Sequence, residues 1–143
     1  MTRSAEGLAR ACADALWNGD AASQGLGMRL DHVGPGSATM SMPVRPDMAN
    51  GHGICHGGFV FALADSTFAF ACNSRGERAV AQHNAITYLR PARVGETLVA
   101  TAHEIAVAGR SGIYDVRVVG DDGQPVAELR GHSRLSGGKF FPE

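Results

Sequence analysis

Little in this 143-residue chain could cross-link it, span a bilayer or bind by charge alone. Its three cysteines, Cys12, Cys55 and Cys72, are an odd number with no CxxC spacing. That argues against a disulfide framework and implies a reducing compartment. No apolar run reaches the ~18 residues that a transmembrane helix requires. The first residues, which include Glu6 and Asp14, lack an apolar stretch of signal-peptide length. Thirteen basic and 14 acidic side chains leave a net charge of -1, with no block of either sign. A nucleic-acid footprint needs a basic patch, and neither a patch nor a recognition-helix pattern is present. Internal repeats, linkers and low-complexity segments are also missing. The expectation is one cytoplasmic domain over residues 1–143, large enough for a sizeable core, with no membrane or nucleic-acid partner.

What the chain does have is one unusual stretch, Asn50 to Asn73, NGHGICHGGFVFALADSTFAFACN. It opens polar and glycine-rich and then runs apolar from Phe59 to Cys72. A run of about 14 residues without Pro or Gly is too long for an ordinary strand and predicts a helix over about 57–72. Because it is apolar on nearly every side, the rest of the fold must enclose it. One residue in the run carries a charge at neutral pH, Asp65. A carboxylate in such a place is costly unless it has partners or a task. At the other end, His56-Gly57-Gly58 begins the first turn, where free N–H groups and the positive end of the helix dipole suit a developing oxyanion. Gly57 and Asp65 are eight residues apart, roughly 12 Å along a helix at about 1.5 Å per residue. If both serve one reaction, two antiparallel copies of the helix must lie side by side, each bringing its Asp65 to the other's Gly57. The spacing therefore predicts an obligate homodimer with shared sites.

The remaining segments read as a short helix and about six strands. Ser4 to Trp17 predicts an amphipathic helix, about 4–17, capped by Ser4, which packs outside a sheet or forms a lid. Strand patterns cover Gly25 to Val33, Ser37 to Val44, Ala79 to Leu89, Thr97 to Ala106, Gly112 to Val119 and Pro125 to Leu135. Their short, turn-rich separators argue for antiparallel neighbours. The tail from Gly137 to Glu143 reads as loose. The predicted class is α+β, with an antiparallel sheet curled around one long buried helix.

The segment NGHGICHGG–FVFALAD resembles the hotdog-fold acyl-CoA thioesterases, specifically the PaaI type of phenylacetate degradation. FACNSRG after the helix, ITYLRPA at Ile86 to Ala92, GIYDVRVV at Gly112 to Val119 and VAELRGHS at Val126 to Ser133 are similar to that family in the same order. The resemblance implies a hotdog fold of five to six strands, a homodimer with its active site between protomers, and a dimer of dimers, a homotetramer. Carried onto matching positions, it makes Asp65 the catalytic carboxylate, Gly57 the backbone donor to the thioester oxygen, and Asn50 and His56 polar residues beside the thioester. The substrate class it implies is arylacetyl-CoA, hydroxylated phenylacetyl-CoA above all, with coenzyme A entering as part of the substrate and no cofactor or metal. The strand segment Gln82-His83-Asn84 is more polar than the family pattern.

Beside these readings stand plainer ones. Asp65 can act as a base toward water or as a nucleophile forming a transient anhydride, with Ser66, Thr67 and the partner helix end as groups that could restore its charge. It could equally bridge a dimer. Gly57 and Gly58 also suit close helix packing, Asn50 could order its own loop, and His56 could orient that loop without moving a proton. Arg90 with Pro91, and Arg110 with Ser111 and Gly112, are candidates for coenzyme A, arginine for phosphates and the small residues for the pantetheine arm. Gly58, Thr67 and Phe68 complete the candidate substrate contacts. His52, Cys55 and His56 do not form a recognised metal spacing. Two other functions share the fold: a hydratase or dehydratase of enoyl- or hydroxyacyl-CoA, and a non-catalytic acyl-CoA-binding module. The first pairs a His with an Asp ahead of the helix, whereas Asp65 lies within it. Sensors of the second kind carry an added DNA-binding segment, for which the roughly 20 residues ahead of the first strand are too short.

Overall fold

The apolar run forms one helix, α3 (Gly57–Cys72), and the sheet is built to cover it. The computed structural model describes residues 3–142. Six strands, β1 (Arg29–Gly34), β2 (Ser37–Pro43), β3 (Glu77–Tyr88), β4 (Thr97–Ala108), β5 (Ser111–Val119) and β6 (Pro125–Lys139), make a single sheet. The order is β1-β2-β4-β5-β6-β3, and every pairing is antiparallel. This is the curled-sheet, central-helix hotdog arrangement. No helix among the described residues is long and apolar enough to cross a membrane.

Strand alternation puts a layer of small and medium apolar side chains under α3. Ala38, Met40 and Met42 of β2, Leu98, Ala100 and Ala102 of β4, and Val116 and Val118 of β5 are all buried. Against them lie Val60, Leu63, Ala64, Phe68, Phe70 and Ala71 of α3. The alanines on the strands leave room for the two phenylalanines, which is how a curved sheet can close tightly on a helix. The opposite sheet face is solvated, with ion pairs Asp115–Arg130 and Arg117–Glu128 and exposed Ile105. On the α3 side the helix keeps a second stripe: Phe61, Ala62, Asp65 and Ala69 are only half-buried and Gly58 is exposed. At 100° per residue these five positions fall on one face.

Helix α1 (Ala5–Asn18) starts where the serine cap places it, with Ser4 Oγ accepting from Gly7 N–H at 3.0 Å. Its Ala9, Cys12 and Ala13 are buried, and its Trp17 ring sits 6.1 Å from that of Phe70. Two expectations need correction. Residues 25–28 are not strand: a short helix, α2 (Ala21–Gly25), precedes β1 because Asp20 caps it, accepting from both the Ser23 amide and the Ser23 hydroxyl. The tail is not loose either. β6 continues to Lys139, which pairs with Glu77, and Phe140 N–H donates to Gly76 C=O at 2.9 Å. The Phe140 ring lies under the Arg78 guanidinium, 4.2 Å from it. Glu143 lies outside the described residues.

Asn73 ends α3 and starts the strand that carries the site. Its Nδ2 donates to Ala69 C=O at 2.9 Å and Ala79 C=O at 3.0 Å, while its Oδ1 accepts from Ala79 N–H at 2.8 Å. Replacing it with alanine removes three hydrogen bonds and takes the side-chain acceptor from the buried Ala79 amide. The Asn73→Ala variant is expected to lose about 2–3 kcal/mol of stability, read as a lower urea midpoint at unchanged slope.

Candidate active site

The start of α3 is shaped by its own loop. Asn50 Oδ1 accepts from the amides of His52 (2.9 Å) and Ile54 (3.3 Å), and Asn50 N–H donates to Ile54 C=O at 2.8 Å. Gly53 sits at φ 77°, a conformation only glycine adopts freely, and completes the turn. His56 is the N-cap: its Nδ1 accepts from Gly58 N–H at 2.9 Å, so Nδ1 carries no proton and the tautomer is set. Gly58 permits this, since a Cβ there would lie 3.1 Å from Nδ1. The Phe59 amide is taken by His56 C=O at 2.9 Å. The Gly57 amide has no acceptor among the described residues, so a directed donor remains at the positive end of the helix.

A side chain at position 57 would crowd a residue that lies far along the chain. A Cβ on Gly57 would meet the Tyr88 ring at 3.1 Å, and Tyr88 Oη donates to Gly57 C=O at 2.9 Å. Asn50, Gly57, Tyr88, Arg90 and Pro91 line one cavity of about 410 Å³. Arg90 takes part in it with little freedom: its Nη2 binds Asp122 at 2.6 Å and lies 3.9 Å from Glu96. Arg110, Ser111 and Gly112 line a separate cavity of about 140 Å³ with Cys72 and Tyr114. The Arg110 guanidinium is exposed, with one N–H on Leu135 C=O at 3.1 Å. The candidate residues therefore fall into two groups at opposite ends of α3.

Asp65 belongs to neither group. Its carboxylate is half-buried midway along α3 and, among the described residues, receives one hydrogen bond, from Asn84 Nδ2 at 3.0 Å. Burial pushes its pKa above the ordinary carboxylate value, and the Asn84 bond pulls the other way by favouring the charged form. The neighbours named from sequence as partners are turned elsewhere. Ser66 pairs with Ser23 at 2.8 Å, and Thr67 donates to Leu63 C=O at 2.7 Å. Thr67 and Phe68 are fully buried in the single chain, Phe68 with its ring 5.5 Å from Tyr114. The two polar contacts missed by sequence reasoning are Asn84 on Asp65 and Tyr88 on Gly57. The polar Gln82-His83-Asn84 segment was the available signal for the first.

The comparisons with known proteins agree with this architecture. The family model described as the Thioesterase superfamily matches residues 52–127. The chain belongs to this superfamily, among the hotdog-fold acyl-CoA thioesterases of the PaaI type. It is 42% identical over 131 residues to the acyl-coenzyme A thioesterase PaaI of Escherichia coli (strain K12), covering 92% of this chain and 94% of that one. The solved structure of the E. coli PaaI protein from the phenylacetic acid degradation operon superposes with a TM-score of 0.93 at 40% identity, over 95% of this chain and 99% of that one. A mutant of the phenylacetic acid degradation protein PaaI from Thermus thermophilus gives 0.76 at 40% identity, over 79% of this chain and 96% of that one. The chain is thus a thioester hydrolase by family.

The half-buried carboxylate carries a stability consequence. A folded-state pKa above the unfolded one means that the native state binds the extra proton, so stability falls as pH rises through the folded pKa. Above it the desolvation penalty is fully present. Asp65→Asn, which cannot ionise, is expected to melt higher than wild type at pH 8, with the difference shrinking toward pH 4. Thermal melts across that range check this, and a neutral-pH Tm below wild type would contradict it.

Proposed function

We propose that the protein hydrolyses arylacetyl-CoA thioesters to the free acid and coenzyme A in sites shared by two antiparallel α3 helices. The observation that carries the reading is the uncommitted Gly57 amide at the helix N-terminus, beside a cavity of about 410 Å³. The thioester carbonyl oxygen would take the Gly57 N–H, a donor type whose loss typically costs about 100- to 1,000-fold. Asp65 of the other helix acts as general base, taking a proton from water as the oxygen attacks the carbonyl carbon. Collapse of the tetrahedral intermediate breaks the C–S bond, and the proton held by Asp65 goes to the departing thiolate. In the nucleophilic variant, a carboxylate oxygen attacks first, the thiolate leaves, and water opens the anhydride.

The dimer has physical support in the single chain. The half-buried stripe of Phe61, Ala62 and Ala69 flanks Asp65, an arrangement that a surface helix does not favour unless it packs on another apolar face. β3 lies at the edge of the sheet, 12 residues long and largely exposed, a length of free edge suited to strand addition. The site residues Asn50 and His56 hold the loop and the cap. Arg110, with Ser111 and Gly112, is the better placed of the two arginines for coenzyme A phosphates, since Arg90 is already paired. Association of two dimers, a cytoplasmic setting suited to three free cysteines, and the arylacetyl preference complete the reading. The preference is supported by similarity to proteins named for phenylacetic acid degradation.

Release of free thiol from a panel of phenylacetyl-, hydroxyphenylacetyl-, benzoyl- and straight-chain acyl-CoAs tests the reaction and its substrate class. Asp65→Asn is expected to lose about 100- to 10,000-fold in turnover while remaining dimeric. Phe61→Arg, which places a charge on the stripe, is expected to yield monomers without turnover. A monomeric Phe61→Arg protein with wild-type kcat would sink the shared site, and thiol release at the wild-type rate by dimeric Asp65→Asn would sink the base.

A further inference from the structure

We infer that Asn84 is a positioning residue for Asp65, orienting the carboxylate with its amide N–H and favouring its charged form. The inference rests on the thioesterase reading above. The carboxylate, when ionised, only accepts hydrogen bonds, so the amide must turn its NH2 toward Asp65 and its oxygen away. The contact is Nδ2 to Oδ1 at 3.0 Å, between residues 19 apart on α3 and β3. The Asn84 Oδ1 that this leaves over is buried and has no donor among the described residues. Burying an acceptor unpaired is costly, so an amide that keeps this orientation is held by what its NH2 gains on Asp65.

The fold reserves space for this amide. Asn84 pairs across the sheet with Gly131 of β6, and a Cβ on Gly131 would lie 2.8 Å from Asn84 Oδ1 and 2.8 Å from the Phe68 ring. Any side chain at 131 would displace the amide or the ring behind it.

The other titratable groups near Asp65 do not duplicate this role. Cys72, further along α3, is pushed up to about 12 by burial. Tyr114 of β5 is pushed up by burial and by Glu104 of β4, whose carboxylate accepts from its hydroxyl at 3.1 Å and also pairs with Arg75. Both stay protonated at neutral pH. His83 and His132, paired edge to face at 5.4 Å, alternate with Asn84 and Gly131 and so lie on the other sheet face.

Two readouts on the full-length protein test the proposal: titration of the Asp65 carboxyl carbon by 13C NMR, and the pH profile of kcat and KM. In Asn84→Ala the Asp65 titration and the acid limb of kcat are expected to move up together by about one pH unit, the size of one lost hydrogen bond to a charge. The high-pH plateau of kcat is expected to fall about tenfold with KM nearly unchanged, because the carboxylate loses the contact that orients it. Asn84→Ser, smaller but still polar, provides the same comparison if the alanine variant does not fold. An unmoved Asp65 titration in a folded dimer would overturn the proposal. A plateau equal to wild type would overturn the orienting role. Absence of turnover in wild type would instead overturn the thioesterase reading, and the NMR titration would still decide whether Asn84 holds Asp65.

Discussion

An ionisable group set midway along an otherwise apolar helix constrains the rest of this molecule. α3 buries Val60, Leu63, Phe68 and Phe70 on one side, yet its other side is also apolar except for Asp65. The first side requires the sheet, and the strand alanines at 38, 100 and 102 are what let the sheet approach. The second side requires something that a single curled sheet cannot supply. The carboxylate makes that need sharper, because a charge left half-buried with one neutral partner is destabilised unless further dipoles face it. A helix N-terminus with an uncommitted amide is such a dipole, and in the proposed dimer the Gly57 end of the other helix would supply it.

The same constraint explains why the site is assembled from distant pieces. A helix cannot fold its own first turn onto its middle, and the roughly 12 Å between Gly57 and Asp65 is fixed by the helical rise. Each group is therefore tuned by a strand residue. Tyr88 packs on Gly57 and ties down its carbonyl, while Asn84 holds Asp65, and both lie on β3. Asn73 fixes the register with which β3 leaves the helix. One strand thus carries the supports of both groups, and it is also the exposed edge of the sheet.

What was legible in the sequence is what is decided locally. The span of α3 followed from an unbroken apolar run, the start of α1 from Ser4, and most strands from alternation between turn residues. The short helix α2 escaped because five residues carry no periodicity; the Asp20 side chain makes it. The end of β6 escaped because Gly137 and Gly138 suggest a loose tail, whereas pairing with Glu77 and burial of Phe140 hold it. At the site, the start of the helix, its free N–H groups and the lone carboxylate were readable from residues 50–65. Their partners were not, since Asn84 and Tyr88 stand 19 and 31 residues away from the groups they touch. The polarity of Gln82-His83-Asn84 marked the place without naming the contact.

The number of donors on Asp65 matters as much as their presence. Ser66 and Thr67 are adjacent and could each have bonded the carboxylate, but one is held by Ser23 and the other by the Leu63 carbonyl. A carboxylate accepting several hydrogen bonds becomes a weak base, with a pKa far below the pH at which it must take a proton. A carboxylate with none, in this setting, would hold its proton to a higher pH. One neutral donor lies between these extremes: burial raises the affinity for a proton and the Asn84 amide limits the rise. That balance suits a group that must be ionised before attack and protonated after it. Turning the nearby hydroxyls away is thus part of what makes Asp65 usable as a base in the proposed reaction.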